Sequence, residues 1–259
     1  MLPYLAVTVA VVGSVYRYYT DRYSVSSQSS QLLESRSLSW GSVPWHYGII
    51  TILGAHVIAA VFPSFWSTLI GNSLRLYVME ITGWALAVFL GVGLAILIAR
   101  RWRNPRIWAV SSVADWVVLA CLGIQVVLGL YVAVTERWGA TWYLFMVVPW
   151  LQSLVSFNPN VSIIVYLPLV VELHILNALI LIMLIPFTRL IHMFTFPVTY
   201  LWRPYQVVVW NRSTLDPAER AEKEVIRTRN VKIAVGLAML VLFAIVAFAL
   251  LFSLGSSLG

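Results

Sequence analysis

The chain has almost no cysteine. Cys121 is the single one in 259 residues, so no disulfide framework, four-cysteine iron–sulfur site or cysteine zinc site can form within it. Charge is scarce too. Asp, Glu, Lys and Arg make up 10% of the residues, against about 25% in a soluble domain. Too few polar side chains exist to cover a folded surface in water. No internal repeat and no low-complexity segment stands out. What the chain has instead is apolar length, with 61% hydrophobic residues and a mean hydropathy of +0.87. This composition implies an all-α, polytopic membrane helix bundle. The net charge of +7 does not point to nucleic acid, because the Arg residues cluster between apolar runs, as membrane topology requires.

A bilayer core about 30 Å thick takes about 20 apolar residues of helix. Six stretches qualify, at about 2–19, 45–62, 77–99, 112–134, 167–186 with a continuation to 196, and 231–254. The first ends at Arg17 and has no small-residue cleavage site before a polar segment. It is expected to be a retained span, not a signal peptide. Of the 17 Lys and Arg residues, all but Arg75 and Arg137 lie in the segments after the first, third and fifth stretches. Three alternate loops thus agree on an orientation: basic segments in the cytoplasm, N-terminus and C-terminus outside, in a multi-pass protein of the cell membrane. The expected organisation is a membrane domain over 1–212, a polar cytoplasmic linker over 213–230 and an additional C-terminal transmembrane helix over 231–259. In the linker, Asp216 is the expected N-cap of a short helix, with Pro217 at its first position. The outer segment 135–160 carries Trp138, Trp142 and Trp150, which suit a membrane interface.

The four histidines of the chain, His46, His56, His174 and His192, all lie in or at the edge of apolar stretches. A lone one would be a polar residue hydrogen-bonded inside the bundle. Intramembrane ionisable groups are costly and tend to be functional, and here two fall on the second stretch and two on the fifth. These stretches run antiparallel. His46 therefore faces His192 at the inner side, and His56 faces His174 at the outer side. Six-coordinate haem iron takes one imidazole from each side. Straight helices would separate His46 from His56 by roughly 15 Å and His174 from His192 by roughly 27 Å. Pro186 offers a kink that reconciles the two, with the irons about 20 Å apart. Two ligands per site, without thiolate or carboxylate at matching depth, make a poor zinc or copper cage. Spacings of ten and eighteen also differ from the near-equal spacings of bc-type dihaem cytochromes.

Particular segments carry a resemblance. They are Tyr16-Arg17-Tyr18, Ser29-Ser30-Gln31-Leu32-Leu33-Glu34, His46 with Gly48-Ile49 and His56, Arg100-Arg101 with Pro105-Arg106, Ala114-Asp115 and Leu128-Gly129-Leu130. Further on come Gln152-Ser153, Phe157, Leu173-His174, Pro186-Phe187-Thr188-Arg189-Leu190-Ile191-His192, Pro197 and Tyr200-Leu201. Over about residues 1–210 the chain resembles the gamma subunit of respiratory nitrate reductase, a membrane dihaem cytochrome b. The resemblance implies a five-helix core plus one extra C-terminal helix. It implies two b haems, the inner on His46 and His192 and the outer on His56 and His174. It also implies oxidation of quinol near the outer haem and electron flow inward to an iron–sulfur subunit, which feeds a molybdenum subunit where nitrate is reduced. The chain would thus be the quinol-oxidising subunit of an enzyme whose nitrate site lies elsewhere. It departs from the family in its sixth span, in Arg75 near the place of a quinol-site Lys, and in Ala55 where Gly is common before the outer ligand.

Other residues carry expectations with an alternative beside each. Arg189 is expected at a propionate of the inner haem, or as an interfacial anchor. Arg75 is an outer anchor, or a quinone or propionate contact. Glu172 faces a proton exit or pairs with Arg137. Asp115 caps the fourth span or pairs with the Arg100–Arg106 cluster. Ser29, Ser30 and Gln31 meet a haem edge or order the first cytoplasmic loop, and Cys121 is packing. The iron–sulfur subunit is expected on the surface of 17–44, 100–111 and 196–230, with Trp202, Tyr205 and Trp210. Rival functions are the cytochrome b of a heterodisulfide- or sulfite-reductase-linked complex, and a haem-free transporter whose histidines relay protons.

Overall fold

The computed structural model describes residues 1–194. The expected sixth span, the Asp216 helix and the surface around Trp202, Tyr205 and Trp210 lie outside these residues.

The described chain is helical, without strands. Helix α1 (Leu2–Thr20) is followed by a short 3-10 turn, then by α2 (Arg36–Val61), α3 (Pro63–Ile70) and α4 (Ser73–Arg103). Next come α5 (Pro105–Ala109), α6 (Val113–Thr135), α7 (Gly139–Trp142), α8 (Val148–Val155) and α9 (Leu169–Leu184). Four segments among these are long and apolar enough to cross a membrane: Arg36–Val61, Ser73–Arg103, Val113–Thr135 and Leu169–Phe187. Helix α1 has 19 residues, a length of about 28 Å at helical rise.

Local chemistry sets the helix ends. Asn72 caps α4 by accepting from the N–H groups of Leu74 and Arg75, and Asn104 caps α5 through Arg106 N–H. Ser112 and Asp115 form a reciprocal capping box on α6, which satisfies two donors that the first turn would leave open. Helix α2 begins before its apolar stretch and α4 extends past its own at both ends, so polar residues project beyond the apolar run there.

The tightest helix pair is α2 on α4, and glycine makes it possible. A Cβ at Gly48 would lie 2.6 Å from Leu90 Cβ, and one at Gly93 would lie 2.7 Å from the Trp45 main-chain nitrogen. Hydrocarbon gives little hydrophobic drive between helices, so small residues that let backbones approach supply the packing. Gly13 serves α1 likewise, where a Cβ would meet the Pro186 ring at 2.8 Å.

The two ends of the bundle gather different segments. At one end stand Arg17, Glu34, Arg100, Arg101, Asp115 and Arg189. Arg100 is buried and bonds Ser30 Oγ at 3.0 Å and Glu34 Oε2 at 2.6 Å. Ser30 thereby orders the first loop, the second of the two expectations for that segment. Asp115 both caps α6 and pairs with Arg101, at 3.2 Å. At the other end, Glu80 accepts from Ala140 N–H at 2.8 Å, and Tyr77 meets Trp138 edge-on at 4.9 Å.

One feature adds to the sequence reading and one differs from it. The segment after α6, expected at the membrane interface, is largely helical. Residues Tyr143–Val147 form a turn of π-helix between α7 and α8, and Leu144, Val147, Val148 and Trp150 are buried. Pro186 does not kink a continuous fifth helix. Helix α9 stops at Leu184, and Ile185–Phe187 and Arg189–Phe194 continue in 3-10 form. Proline cannot donate its main-chain hydrogen bond, so the helix ends and the straight-rod distance to His192 no longer applies.

Candidate functional site

The regular helix α2 carries His46 and His56. On each ring Nδ1 lies 2.8 Å from the carbonyl oxygen four residues earlier, that of Ser42 and of Ile52. A carbonyl only accepts, so Nδ1 bears the proton and Nε2 keeps its lone pair. This is how a metal-binding imidazole is held and oriented. His192 follows the same rule from a 3-10 segment, with Nδ1 2.5 Å from the carbonyl oxygen of Arg189.

The rings of His46 and His192 face each other, with centroids 6.2 Å apart and planes at 70°. An ion held at roughly 2 Å by one nitrogen of each imidazole would place the ring centres about 6 Å apart. The structure thus brings the inner pair derived from the sequence together.

The outer pair lies on α2 and α9. His174 stands against α6. Its Nε2 lies 3.1 Å from the Gln125 side-chain nitrogen, and its buried Nδ1 has no hydrogen-bond partner among the described residues. Gly129 of α6 leaves room for the ring, since a Cβ there would come 3.1 Å from His174 Cε1. A buried polar nitrogen without a partner is costly. Its presence in a cradle opened by glycine fits a site built for a further ligand.

No group of three or more His, Cys, Asp or Glu among the described residues could hold a metal ion. The histidines come in twos, which suits the two axial positions of a haem iron and not a cage of protein ligands.

Sequence reasoning missed three neighbours. Tyr143, in the π-helical turn, stands edge-on to His56 with centroids 4.9 Å apart. Gln125 and Asn177 form a buried polar link beside His174, with Asn177 Nδ2 donating to Gln125 Oε1 at 2.6 Å and to Cys121 O at 3.0 Å. The apolar runs around them hide these pairings, though an amide inside a hydrocarbon span is itself a signal. Arg189 is expected from the sequence, but its partners are not. Its Nε pairs with Asp115 Oδ1 at 2.6 Å, and its other nitrogens donate to Gln28 O at 2.6 Å and Val110 O at 3.3 Å. Arg75 donates to Thr68 O at 3.0 Å at the opposite end.

Fold and site together define an all-helical membrane protein with four histidines in or beside its apolar helices, of which His46 and His192 face each other. A family model described as nitrate reductase gamma subunit matches residues 1–211, and the chain belongs to that family. It is 33% identical over 213 residues to the nitrate reductase gamma chain of Bacillus subtilis strain 168, covering 80% of this chain and 94% of that one. Against the respiratory nitrate reductase 1 gamma chain of Escherichia coli K12 it is 31% identical over 209 residues, with 80% and 93% covered. The nitrate reductase-like protein NarX of Mycobacterium tuberculosis H37Rv is 32% identical over 213 residues, which are 79% of this chain and 32% of that longer protein. Membership implies a membrane subunit of a respiratory nitrate reductase.

Proposed function

We propose that this chain is the dihaem cytochrome b subunit of a respiratory nitrate reductase. It oxidises quinol at the outer end of the bundle and delivers electrons to an iron–sulfur subunit, which feeds a molybdenum catalytic subunit. The observation that carries this reading is the facing of His46 and His192 at 6.2 Å. Two b haems, when bound, supply one-electron carriers at two depths.

The chain's own residues do the rest. His46 and His192 hold the inner haem, and His56 and His174 the outer. Main-chain carbonyls keep Nδ1 of His46, His56 and His192 protonated, so each presents Nε2. Arg189 pairs with Asp115 and donates to Gln28 O and Val110 O, and its guanidinium, rich in donors, would also meet a propionate of the inner haem. The basic end of the bundle faces the cytoplasm and the Tyr143 end faces outward. A reporter after Gly259 then appears outside.

A visible absorption spectrum with a redox titration tests the proposal. Two b-type haems of different potential, both reduced by quinol, are expected. A chain purified without a haem band would favour a proton-relaying transporter instead.

A further inference from the structure

The two histidines on α2 draw their Nδ1 acceptors from a regular helix. His192 does not. Its acceptor, the carbonyl of Arg189, belongs to a six-residue 3-10 segment, whose hydrogen-bond geometry is poorer than that of an α-helix. The position of that carbonyl needs support from outside the segment.

Asp115 supplies it. The residue is 6% exposed, and its two oxygens divide their work. Oδ2 accepts from Ser112 N–H at 2.9 Å and from Arg101 at 3.2 Å, which completes the cap of α6. Oδ1 is left for Arg189 Nε at 2.6 Å. The capping box alone needs one oxygen, so the second is not explained by the helix. The same guanidinium holds Gln28 O, and Gln28 has φ +44°. A residue with a side chain keeps that left-handed backbone only where its surroundings over-determine it. Asp115, the first loop and the turn before His192 are thus locked through one side chain.

We propose that Asp115 is a positioning residue for His192, acting through Arg189: it fixes the carbonyl that holds Nδ1, and so sets the plane and basicity of the inner haem ligand. The inference rests on the reading that His46 and His192 hold a haem. A firm acceptor at Nδ1–H makes an imidazole a stronger donor to its metal, which favours the oxidised iron. Loosening the acceptor should make the inner haem easier to reduce and should turn the ring.

The test uses the full complex in membranes. Asp115→Asn keeps an oxygen for Ser112 N–H and loses the charge that holds Arg189. Both haems should remain, and the outer one should titrate as before. At a fixed potential the reduced-to-oxidised ratio of the inner haem should rise about tenfold, which is 59 mV for one electron. The largest g value of its low-spin ferric EPR signal, which follows the angle between the two imidazole planes, should move. Arg189→Lys should give the same signature, because one ammonium cannot hold three acceptors in Arg's fork. Ser112→Ala weakens the cap without touching the Arg189 pair and should match wild type. An unmoved g value in Asp115→Asn overturns the proposal even if the potential shifts, since a lost charge alone does that. The same changes in Ser112→Ala overturn it too, because capping would then be the cause. If Asp115→Asn does not accumulate, Arg189→Lys decides by the g value alone, because a change at the propionate would itself move the potential. A wild-type complex without haem is a separate result and sinks the functional reading itself.

Discussion

Tyr143 donates its hydroxyl to the main-chain carbonyl of His56, at 3.1 Å, while its ring stands edge-on to the His56 imidazole. The segment after α6 thereby packs against His56. Tyr143→Phe keeps the ring and loses one hydrogen bond, a cost of about 0.5–1.5 kcal/mol, and both haems should stay bound. Tyr143→Ala also removes the ring and should release the outer haem at a lower temperature than the inner. Thermal loss of each haem's absorbance measures this.

The histidine pairing makes a sharper demand. Replacing His56 or His174 should remove the outer haem and stop quinol oxidation. Replacing His46 or His192 should remove the inner haem and spare the outer. Low-temperature difference spectra of the four single variants read the result. A haem lost jointly by changes at His46 and His174 would refute the pairing.

Arg17 reaches from the last turn of α1 to the carbonyl oxygens of Pro186 and Thr188, at 2.7 and 2.9 Å. Those carbonyls lie in the turn that follows the end of α9. Bonds from a charged donor are worth about 1.5–3 kcal/mol. Arg17→Gln should therefore lower the temperature at which the inner haem is released and leave the outer haem's release unchanged.

Glycine contacts on α2 set the packing. With a Cβ at Gly48 only 2.6 Å from Leu90 Cβ, Gly48→Ala must push α2 from α4. Overpacking of this kind costs about 1–3 kcal/mol. The variant should aggregate at lower temperature in detergent, with both haem signals disturbed, because both α2 ligands move.

Glu34 gives a pH dependence. Hydrogen bonds from Ser37, then from Arg100, hold its carboxyl at about 2, below its ordinary 4.5. Its folded value is depressed, so its contribution is whole above about 4.5, falls as pH drops and is gone below about 2. Glu34→Gln should speed hydrogen exchange in the loop before α2 at neutral pH, and the difference from wild type should vanish below pH about 2.

The sequence makes much of this legible. Apolar runs bounded by Arg mark the membrane helices, and four histidines in so apolar a chain mark a site. Antiparallel order is enough to pair His46 with His192. What stayed hidden depends on long-range geometry. Nothing near Arg189 reveals that it meets Asp115 before any propionate, because the partner stands on another helix. Proline in an apolar run reads as a kink or a stop, and only the partners supplied to the following turn by another helix, here Arg17 at Pro186 O and Thr188 O, decide which. Tyr143 sits in a π-helical turn, a departure from helical period that spacing arguments cannot anticipate.

The end of α9 at Leu184 also orders events in time. The turn carrying His192 is held by Arg17, Gln28, Val110 and Asp115, all of which are synthesised before it. Its acceptors and counter-charge are therefore in place when residues 186–192 leave the ribosome. The contacts of residues 186–192 thus can form only after their partners exist, whereas the Nδ1 acceptors of His46 and His56 come with their own helix.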